Sequence, residues 1–385
     1  MPAGPATAGS APGPGVHARR VIFIDLARAL AVVMMMYGHT VSALLDKTYQ
    51  RGTWFDIWTF QRGLTSTLFL FLSGFAFSIA TMRHWPVQTR LSPAVWKRAR
   101  RFALFIVLGY GMHLPTRRVV DFASADDGHW RAFLAVDVLQ LMGVTLLFLQ
   151  LLVLISQSRR VFIALSFLVS VVLIGIAPAV WAFDARDMQP ALAAYLSPTT
   201  GSLFPFVPWA AYALAGAAAG GLYSRWGAAH LARFANLVLL VPGALAVLIS
   251  LRADNLPVPG ATGPFAWATG SILMRIGASL ILLAIIAHAS RRIARLPHVF
   301  GAVAQESLLI YVVHLAIIYG STWNAGLYRF YAGALSPWAT LFVIVVLVAA
   351  MVALAWQWNR LKHHRPQVAR WLTVGTGATL LATLA

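Results

Sequence analysis

Three side chains that exchange protons or carry charge occur within the first long apolar stretch of the sequence. Asp25, Arg28 and His39 interrupt a run that is otherwise almost entirely apolar. An ionisable side chain at mid-membrane costs at least ~2.5–3.5 kcal/mol, so each needs a partner, a water-filled cavity or a function. Arg28 and His39 are eleven positions apart, close to three helical turns, and Asp25 lies one turn before Arg28. The spacing predicts that all three project from one face of a helix.

This face carries a cation near one end of the helix and an imidazole about 16 Å further along the axis. A neutral imidazole in a hydrated pocket of low polarity suits a general base that deprotonates a hydroxyl or an amine, and it can equally accept an acyl group itself. The structural alternative is that Asp25 and Arg28 neutralise each other at the interface while His39 bonds to a neighbouring helix. From the residues alone the catalytic and the structural interpretation of His39 are equally supported. For Asp25 and Arg28 the structural interpretation is favoured.

Further polar residues in later apolar stretches are candidates to converge on the same outer half of the protein. An acid can orient or neutralise an imidazole, and a guanidinium can bind a developing oxyanion or an anionic acceptor. Taken singly, each is more often structural than catalytic. These candidates are His113, Asp137, Gln140, Arg275 and His314. Glu306 and His288 are expected toward the cytoplasmic side, in interfacial roles.

A cationic cluster precedes the third apolar stretch. Residues 96–102 read WKRARRF and contain Lys97, Arg98, Arg100 and Arg101. Such a run ordinarily contacts anionic lipid headgroups, each cation contributing about 1 kcal/mol. It can also hold the phosphates of a cytoplasmic anionic cofactor, because arginine offers bidentate contacts. The sequence has no Walker A loop, HExxH, GxSxG or Rossmann glycine pattern, so any chemistry must use the intramembrane residues.

The composition requires a membrane protein. Of the 385 residues 59% are hydrophobic and 11% are charged, against roughly 45–50% and 25% in soluble domains. A soluble chain this poor in charge could not cover its own surface, so lipid must form part of its solvent. The net charge of +19 is therefore attributed to Lys and Arg residues that set the orientation of the protein in the membrane. No nucleic-acid partner is predicted. The absence of cysteine excludes disulfides, thiolate metal sites and cysteine nucleophiles, and no metal is predicted.

Ten apolar stretches are each long enough to cross a hydrocarbon core of roughly 30 Å. The predicted fold is all-α, a polytopic bundle of about ten transmembrane helices, or eleven if residues 371–385 also cross. Residues 1–18 are predicted to be a disordered cytoplasmic tail, 19–357 the transmembrane domain, and 358–385 a basic cytoplasmic segment with a short apolar tail. The predicted spans are 21–45, 62–82, 101–116, 132–155, 160–182, 201–223, 234–251, 268–289, 301–320 and 336–357.

The loops between these spans differ in charge. One alternate set holds arginines and lysines with no acid, whereas the other mixes both signs. Since cytoplasmic loops accumulate Lys and Arg, the basic set is predicted to be cytoplasmic, together with both termini. We expect an integral protein of a bacterial inner membrane.

Two glycines in the sixth predicted span indicate a close helix contact. Gly216 and Gly220 are separated by three alanines. Small residues at this spacing let two helix backbones approach in a membrane. We expect a neighbouring helix to pack tightly there.

Taken in order, these motifs resemble the transmembrane acyltransferase superfamily, which includes acyltransferase family three and the heparan-alpha-glucosaminide N-acetyltransferase-like proteins. The resemblance covers residues 20 to about 320. The matching segments are Asp25-Leu-Ala-Arg28 with Gly38-His39, Leu70-Phe71-Leu72-Ser73-Gly74-Phe75, Arg98-Ala-Arg100-Arg101, Asp137-Val-Leu-Gln140, 204–216 and Ser307-Leu-Leu-Ile-Tyr311-Val-Val-His314.

The resemblance implies an enzyme of ten or eleven helices that moves an acyl group, usually acetyl, from cytoplasmic acyl-coenzyme A to an extracytoplasmic hydroxyl or amine. The acceptor is typically a carbohydrate, either a glycan or a lipid-linked sugar. By motif position His39 is the base or acyl carrier, and Arg28 is its motif partner. The remaining assignments are Asp25, Asp137 and His314 as further catalytic candidates, Arg98, Arg100 and Arg101 as coenzyme contacts, and Arg275, Gln140 and His113 as acceptor contacts.

Two other classes of function remain open from the sequence. A secondary transporter or flippase would use Asp25, Arg28 and His39 as a relay for protons or substrate. A non-catalytic scaffold or sensor would retain the fold alone. Release of coenzyme A that depends on His39 supports the enzyme, whereas solute uptake without acyl-coenzyme A supports the transporter.

Overall fold

The protein is a bundle of α-helices with one small β-hairpin in the part of the chain that the structure describes. The computed structural model describes residues 21–116, 118–183, 188–253 and 268–383, so the predicted tail 1–18 lies outside the described residues. The predicted all-α polytopic fold is confirmed. The helices are α1 Ile22–Leu44, α2 Thr53–Arg83, α3 Trp85–Gln88, α4 Pro93–Gly111, α5 Asp127–Leu134, α6 Val138–Ser156, α7 Arg159–Ala182, α8 Pro190–Leu196, α9 Phe206–Leu222, α10 Leu231–Phe234, α11 Val241–Ala253, α12 Ala268–Ser290, α13 His298–Gln305, α14 Ser307–Ile318, α15 Tyr328–Tyr331, α16 Pro337–His364 and α17 Pro366–Ala382.

Shorter elements connect these helices. The hairpin pairs β1 with β2 in antiparallel register directly after α14. Two π-helical segments continue α9 and join α10 to α11. The short elements are β1 Gly320–Ser321, β2 Asn324–Ala325, the 3-10 helices Lys47–Tyr49, Val119–Ser124 and Pro198–Thr200, and the π-helices Tyr223–Gly227 and Ala235–Leu240.

Each predicted span coincides with a helix or with consecutive helices. Among the described residues seven helices are long and apolar enough to cross a membrane, or eight if α13 and α14 form one bent span. The third and sixth predicted spans correspond to α4 and α9, which are not among these. α9 has 17 residues, and the first half of α4 carries the basic cluster. The second predicted span was placed too late, because α2 already begins at Thr53 and runs for 31 residues.

The ninth predicted span, 301–320, is broken at Glu306. α13 and α14 meet there at an angle of 71°. Glu306 is 5% exposed, and its carboxylate accepts hydrogen bonds from Asn359 (3.1 Å) and Lys362 (2.8 Å) of α16. Burial of a carboxylate requires such partners. The ion pair therefore gives Glu306 a structural role at the junction of three helices.

The backbones of α2 and α9 are in direct contact. A Cβ atom added at Gly216 would overlap the carbonyl group of Phe71, and one added at Gly220 would lie 2.5 Å from the carbonyl oxygen of Phe75. From the other side, a Cβ at Gly74 would overlap the carbonyl group of Ala213. The predicted close packing at Gly216 and Gly220 is confirmed, and it brings α2 and α9 together beside the candidate site.

The last described helix returns along the bundle to the end that holds His39. Trp323, which follows β1, donates from Nε1 to the carbonyl oxygen of Leu380 (3.1 Å) and to Oγ1 of Thr383 (2.9 Å). Tyr319, at the end of α14, contacts His39 in the last third of α1. The end of α17 therefore lies near the end of α1.

The start of α1 lies at the opposite end of the bundle. Ala29 of α1 belongs to one apolar cluster with Val303 of α13 and Ala355 near the end of α16. α17 begins just after α16 and spans about 26 Å at 1.5 Å per residue, close to the ~30 Å of a hydrocarbon core. With 17 residues α17 is not among the helices counted as possible spans, so a crossing by residues 366–382 is not shown and the predicted cytoplasmic location of both termini stays a prediction. The sequence left this crossing open because the apolar tail alone is too short.

We expect Ala382 and His364 to be accessible from opposite sides of the membrane. The chain has no cysteine, so Ala382→Cys and His364→Cys each create one reporter thiol at an exposed position. A membrane-impermeant maleimide should label Ala382→Cys in intact cells and His364→Cys only after permeabilisation. Labelling of both only after permeabilisation would place the end of α17 on the cytoplasmic side.

Candidate active site

His39 lies where α1, α2 and α14 meet. Its Nδ1 is 3.3 Å from the hydroxyl of Tyr319, and its ring centroid is 5.4 Å from that of His314. The side chain is half-buried, and in the described part of the chain its Nε2 makes no hydrogen bond to protein. The imidazole thus faces other helices and leaves one nitrogen free for a substrate.

A role for Nε2 of His39 as a base or nucleophile requires the tautomer with the proton on Nδ1. In that tautomer Nδ1–H donates to the hydroxyl oxygen of Tyr319 at 3.3 Å. The proton of that hydroxyl is then directed to the backbone carbonyl of His39, 3.5 Å away. This arrangement leaves a lone pair on Nε2, which is the form that serves as a base or a nucleophile.

His314 stands behind His39. It is 0% exposed, and its Nδ1 lies 2.7 Å from the carbonyl oxygen of Ile310, so Nδ1 carries the proton. Its Nε2 is buried without a hydrogen-bond partner among the described residues. The structure therefore brings together His39 and His314, as predicted.

Arg62 is a functional candidate that sequence reasoning missed. It lies on α2, is exposed, and donates from Nη1 to Oγ of Ser42 (2.6 Å). A Cβ at Gly38 would be 3.4 Å from Cγ of Arg62, and the guanidinium acts electrostatically on both His39 and Tyr319. Arg62 was not singled out in the sequence, where it is the first residue of the second predicted span, 62–82. No motif marked it, and the structure places it well inside α2, which begins at Thr53.

Arg275 of α12 borders the same part of α2. Its Nε lies 3.2 Å from the position that a Cβ of Gly63 would take, so the missing side chain makes room for it. Its guanidinium carbon is 6.0 Å from the ring centroid of Trp209 and interacts electrostatically with Tyr212 of α9. Because Gly63 directly follows Arg62, the two arginines flank one turn of α2.

Asp137 connects α6 to the tyrosines around His39. It caps the N-terminus of α6, where Oδ1 accepts a hydrogen bond from the amide of Val138 (2.6 Å). It also interacts electrostatically with His113, Tyr311 and Tyr319. In the described part of the chain, no three His, Asp or Glu side chains group together as metal ligands.

Gln140 lies one turn further along α6. It is fully buried, and neither atom of its amide has a hydrogen-bond partner among the described residues. It packs against Gly109 of α4, where a Cβ would lie 2.5 Å from Oε1. The neighbouring His113 is exposed, with Nδ1 3.2 Å from the carbonyl oxygen of Gly109. Gln140 and His113, the two predicted acceptor-binding residues, therefore lie where α4 packs against α6 and not next to His39.

The Asp25–Arg28 pair lies apart from His39. Both side chains are half-buried near the start of α1, and Asp25 interacts electrostatically with Arg28. They share a helix face with His39 but stand about 16 Å away along the axis. The structural interpretation of the pair therefore fits the geometry better than a direct role at the imidazole.

The basic cluster forms an open groove at the end of the bundle opposite His39. Its exposed cations are Lys97, Arg100 and Arg101. The groove has a volume of about 830 Å³, and it is lined by Leu91, Pro93, Trp96, Lys97, Arg100 and Arg101. Three cations at one concave surface can bind several phosphate oxygens.

Arg98 turns away from this groove and into the bundle. It donates to Oγ1 of Thr81 (2.8 Å), Oε1 of Gln88 (3.1 Å) and the carbonyl oxygen of Phe77 (3.0 Å). Its guanidinium carbon also lies 4.0 Å from the ring centroid of Phe77. These contacts join α2, α3 and α4, so the side chain expected to contact the coenzyme is instead occupied within the protein.

Comparison with known proteins identifies a family for this chain. The family model described as heparan-alpha-glucosaminide N-acetyltransferase, catalytic, matches residues 20–250. The matched segment contains His39, Arg62, Asp137 and the basic groove, and it ends before Arg275 and His314. No curated protein matches the chain.

Proposed function

Because the chain belongs to the heparan-alpha-glucosaminide N-acetyltransferase catalytic family, we propose that it acylates a carbohydrate on the extracytoplasmic side of a bacterial inner membrane. In this proposal the donor is cytoplasmic acyl-coenzyme A, with acetyl as the acyl group, and the acceptor is a hydroxyl or amine. The observation that carries the proposal is that Nε2 of His39 has no hydrogen-bond partner among the described residues. Its Nδ1 contacts Tyr319, and His314 and Arg62 lie beside the ring.

The reaction uses Nε2 of His39 in either of two ways. As a base, Nε2 removes the proton of the acceptor while the acceptor oxygen or nitrogen attacks the thioester carbon and the carbon–sulfur bond breaks. As a nucleophile, Nε2 attacks the thioester carbon first, the carbon–sulfur bond breaks, and coenzyme A leaves as its thiolate. The acceptor oxygen or nitrogen then attacks the acyl carbon, the bond from that carbon to Nε2 breaks, and the acceptor proton passes to the thiolate. In both routes Tyr319 fixes the ring orientation, and His314 and Asp137 act behind it as positioning groups.

The donor binds at the basic groove. Lys97, Arg100 and Arg101 meet the phosphates of the coenzyme there, and the acyl arm enters the bundle toward His39. The groove and His39 lie near opposite ends of α2, so the bound coenzyme stays cytoplasmic while the acyl group approaches the far side. Arg98 contributes by holding α3 and α4 in place.

We expect the double variant Arg100→Gln/Arg101→Gln to raise the apparent KM for acetyl-coenzyme A about tenfold with a smaller effect on kcat, because it removes phosphate contacts made before the chemical step. Steady-state kinetics with purified protein in nanodiscs measure this. Arg98→Gln should instead lower the melting temperature, since it loses three hydrogen bonds inside the bundle.

The matched control is Arg159→Gln/Arg160→Gln, which removes two exposed cations from the start of α7. It should leave the KM for acetyl-coenzyme A unchanged. An unchanged KM in the Arg100/Arg101 variant would assign the groove to lipid headgroups.

The function itself is tested by incubating purified protein in nanodiscs with labelled acetyl-coenzyme A and a panel of amino sugars. Coenzyme A release and a labelled sugar are expected, both depending on His39. Solute uptake into proteoliposomes without acyl-coenzyme A, together with no labelled product, would support a transporter instead.

A further inference from the structure

The break between α13 and α14 separates the helix that contacts His39 from the helix before it. Glu306 is shared by both: its amide donates to the carbonyl oxygen of Ala302 in α13 (2.9 Å), and its carbonyl oxygen accepts from the amide of Ile310 in α14 (3.0 Å). The two helices meet there at 71°. The rotation of α14 about its own axis is therefore set by side-chain contacts and not by a continuous helix through the break.

This rotation matters because α14 carries groups that contact His39. His314 lies about 12 Å and Tyr319 about 20 Å beyond Glu306 along the helix axis, at 1.5 Å per residue. Side-chain tips stand about 5–6 Å from a helix axis, so a rotation of about 20° moves them about 2 Å. Such a shift would break the contact of 3.3 Å between the hydroxyl of Tyr319 and Nδ1 of His39.

Polar side chains of α16 bind the chain at the break. Nζ of Lys362 lies 2.6 Å from Oε1 and 2.8 Å from Oε2 of Glu306. Nδ2 of Asn359 donates to Oε1 of Glu306 (3.1 Å) and to Oε1 of Gln305 (3.0 Å). Because Glu306 is 5% exposed, this ion pair is screened less than a pair on the surface. The first residue of α14 is thus preceded by a carboxylate that α16 holds through both of its oxygens.

α16 can serve as the reference for this rotation because it packs against α1 as well as α14. Met36 of α1, Ile310 of α14 and Met351 of α16 belong to one apolar cluster. Apolar contacts are non-directional, so they hold the three helices together without fixing their rotation. A buried ion pair joins defined groups and can select one arrangement among several that pack equally well. The pair of Glu306 and Lys362 joins α14 to α16 in this way.

We propose that the ion pair of Glu306 and Lys362 positions the reacting group from a distance, because it fixes the rotation of α14. It thereby holds His314 and Tyr319 against His39. This inference rests on the proposed acyl transfer at His39. A misplacement of about 1 Å can lower a reaction rate about 100-fold, so loss of the ion pair should lower turnover. An ion pair with a purely structural role would change stability and leave the turnover of the folded protein unchanged.

The test replaces the ion pair with apolar side chains of similar length. Apolar replacement of a buried ion pair is often neutral or stabilising, so Glu306→Met/Lys362→Met should fold with a melting temperature at or above that of the wild type. We nevertheless expect kcat for acetyl transfer in nanodiscs to fall at least tenfold. The KM for acetyl-coenzyme A should stay within twofold of the wild-type value, because the basic groove belongs to other helices.

Two single variants are the matched controls. Lys362→Arg keeps the ion pair, and Arg360→Met removes an exposed cation from the same helix, so both should keep wild-type kcat. If Glu306→Met/Lys362→Met does not fold, Glu306→Gln/Lys362→Gln takes its place, since it removes both charges but keeps a hydrogen-bond acceptor for Asn359. A kcat within twofold of the wild-type value in the folded double variant would overturn the inference.

A distance measurement tests the position of α14 without relying on activity. The chain has no cysteine, so Lys47→Cys after α1 and Ala325→Cys in β2 introduce two exposed sites for spin labels. Pulsed electron paramagnetic resonance should show a distance shifted by about 2 Å in the Glu306→Met/Lys362→Met background and unchanged in Lys362→Arg. An unchanged distance in both backgrounds would overturn the inference. Absence of acetyl transfer by the wild type would instead refute the proposed function, and the distance would still decide whether the ion pair positions α14.

Discussion

Replacing His39 with alanine is expected to lower kcat for acetyl transfer at least a thousandfold while the protein remains folded. In the proposed mechanism Nε2 of His39, which makes no hydrogen bond to the described residues, is the reacting nitrogen, and positioned proton transfer alone contributes about 10²–10⁴-fold. The structural cost is small, because the side chain makes one hydrogen bond of 3.3 Å to Tyr319. The measurement is turnover of labelled acetyl-coenzyme A by purified protein in nanodiscs.

Two companion variants make this result interpretable. His298→Ala removes an exposed histidine at the start of α13 and should keep wild-type turnover. Tyr319→Phe keeps the ring but loses the acceptor for Nδ1–H of His39. Its turnover should therefore lie between those of His39→Ala and His298→Ala. A melting temperature within a few degrees of wild type shows that His39→Ala is folded. More than a tenth of the wild-type activity in that folded variant would reject His39 as the reacting group.

Replacing Gly216 with valine is expected to prevent accumulation of folded protein. A side chain there would overlap the backbone carbonyl of Phe71, and a backbone atom cannot move away as a flexible side chain can. Overpacking ordinarily costs about 1–3 kcal/mol, and this contact should exceed that range because α2 and α9 must separate. Separation would also displace Arg62 and Trp209 from the candidate site.

The matched control is Gly175→Val in α7. Gly175 is exposed, and an added Cβ would meet nothing within 4 Å. Size-exclusion chromatography and thermal denaturation in detergent compare the two variants, and only Gly216→Val should lose the monodisperse peak. A melting temperature of Gly216→Val equal to that of the control would show that the two helices tolerate a wider separation.

Local periodicity accounts for the parts of the site that were predicted correctly. The helical repeat alone placed Arg28 and His39 on one face of α1, and the small-residue spacing alone predicted the contact of Gly216 and Gly220. Such features depend on residues within one helix, so they can be read without knowing which helices are neighbours. The motif order likewise indicated the acyltransferase family that the match to residues 20–250 shows.

Partner choice could not be predicted in the same way. Arg98 was expected at the coenzyme because it lies in a basic run, yet Thr81, Gln88 and Phe77 of other segments bind it inside the bundle. Arg62, the first residue of a predicted span, was not singled out, although the fold sets it beside His39. In both cases the groups that contact the arginine are distant from it in the sequence. A guanidinium can bind a lipid headgroup, a cofactor phosphate or a protein carbonyl equally well, so its residue type alone does not identify its partner.

The amino-acid sequence by itself determined that this protein is an α-helical membrane bundle with Arg28 and His39 on one face of its first helix, because hydrophobicity and helical period act locally. Only the tertiary structure decided which side chains surround the imidazole of His39, that the ninth predicted span is bent at Glu306, and that α17 returns toward His39. Those outcomes depend on contacts between helices, whose energies come from packing and hydrogen bonds that no single segment contains.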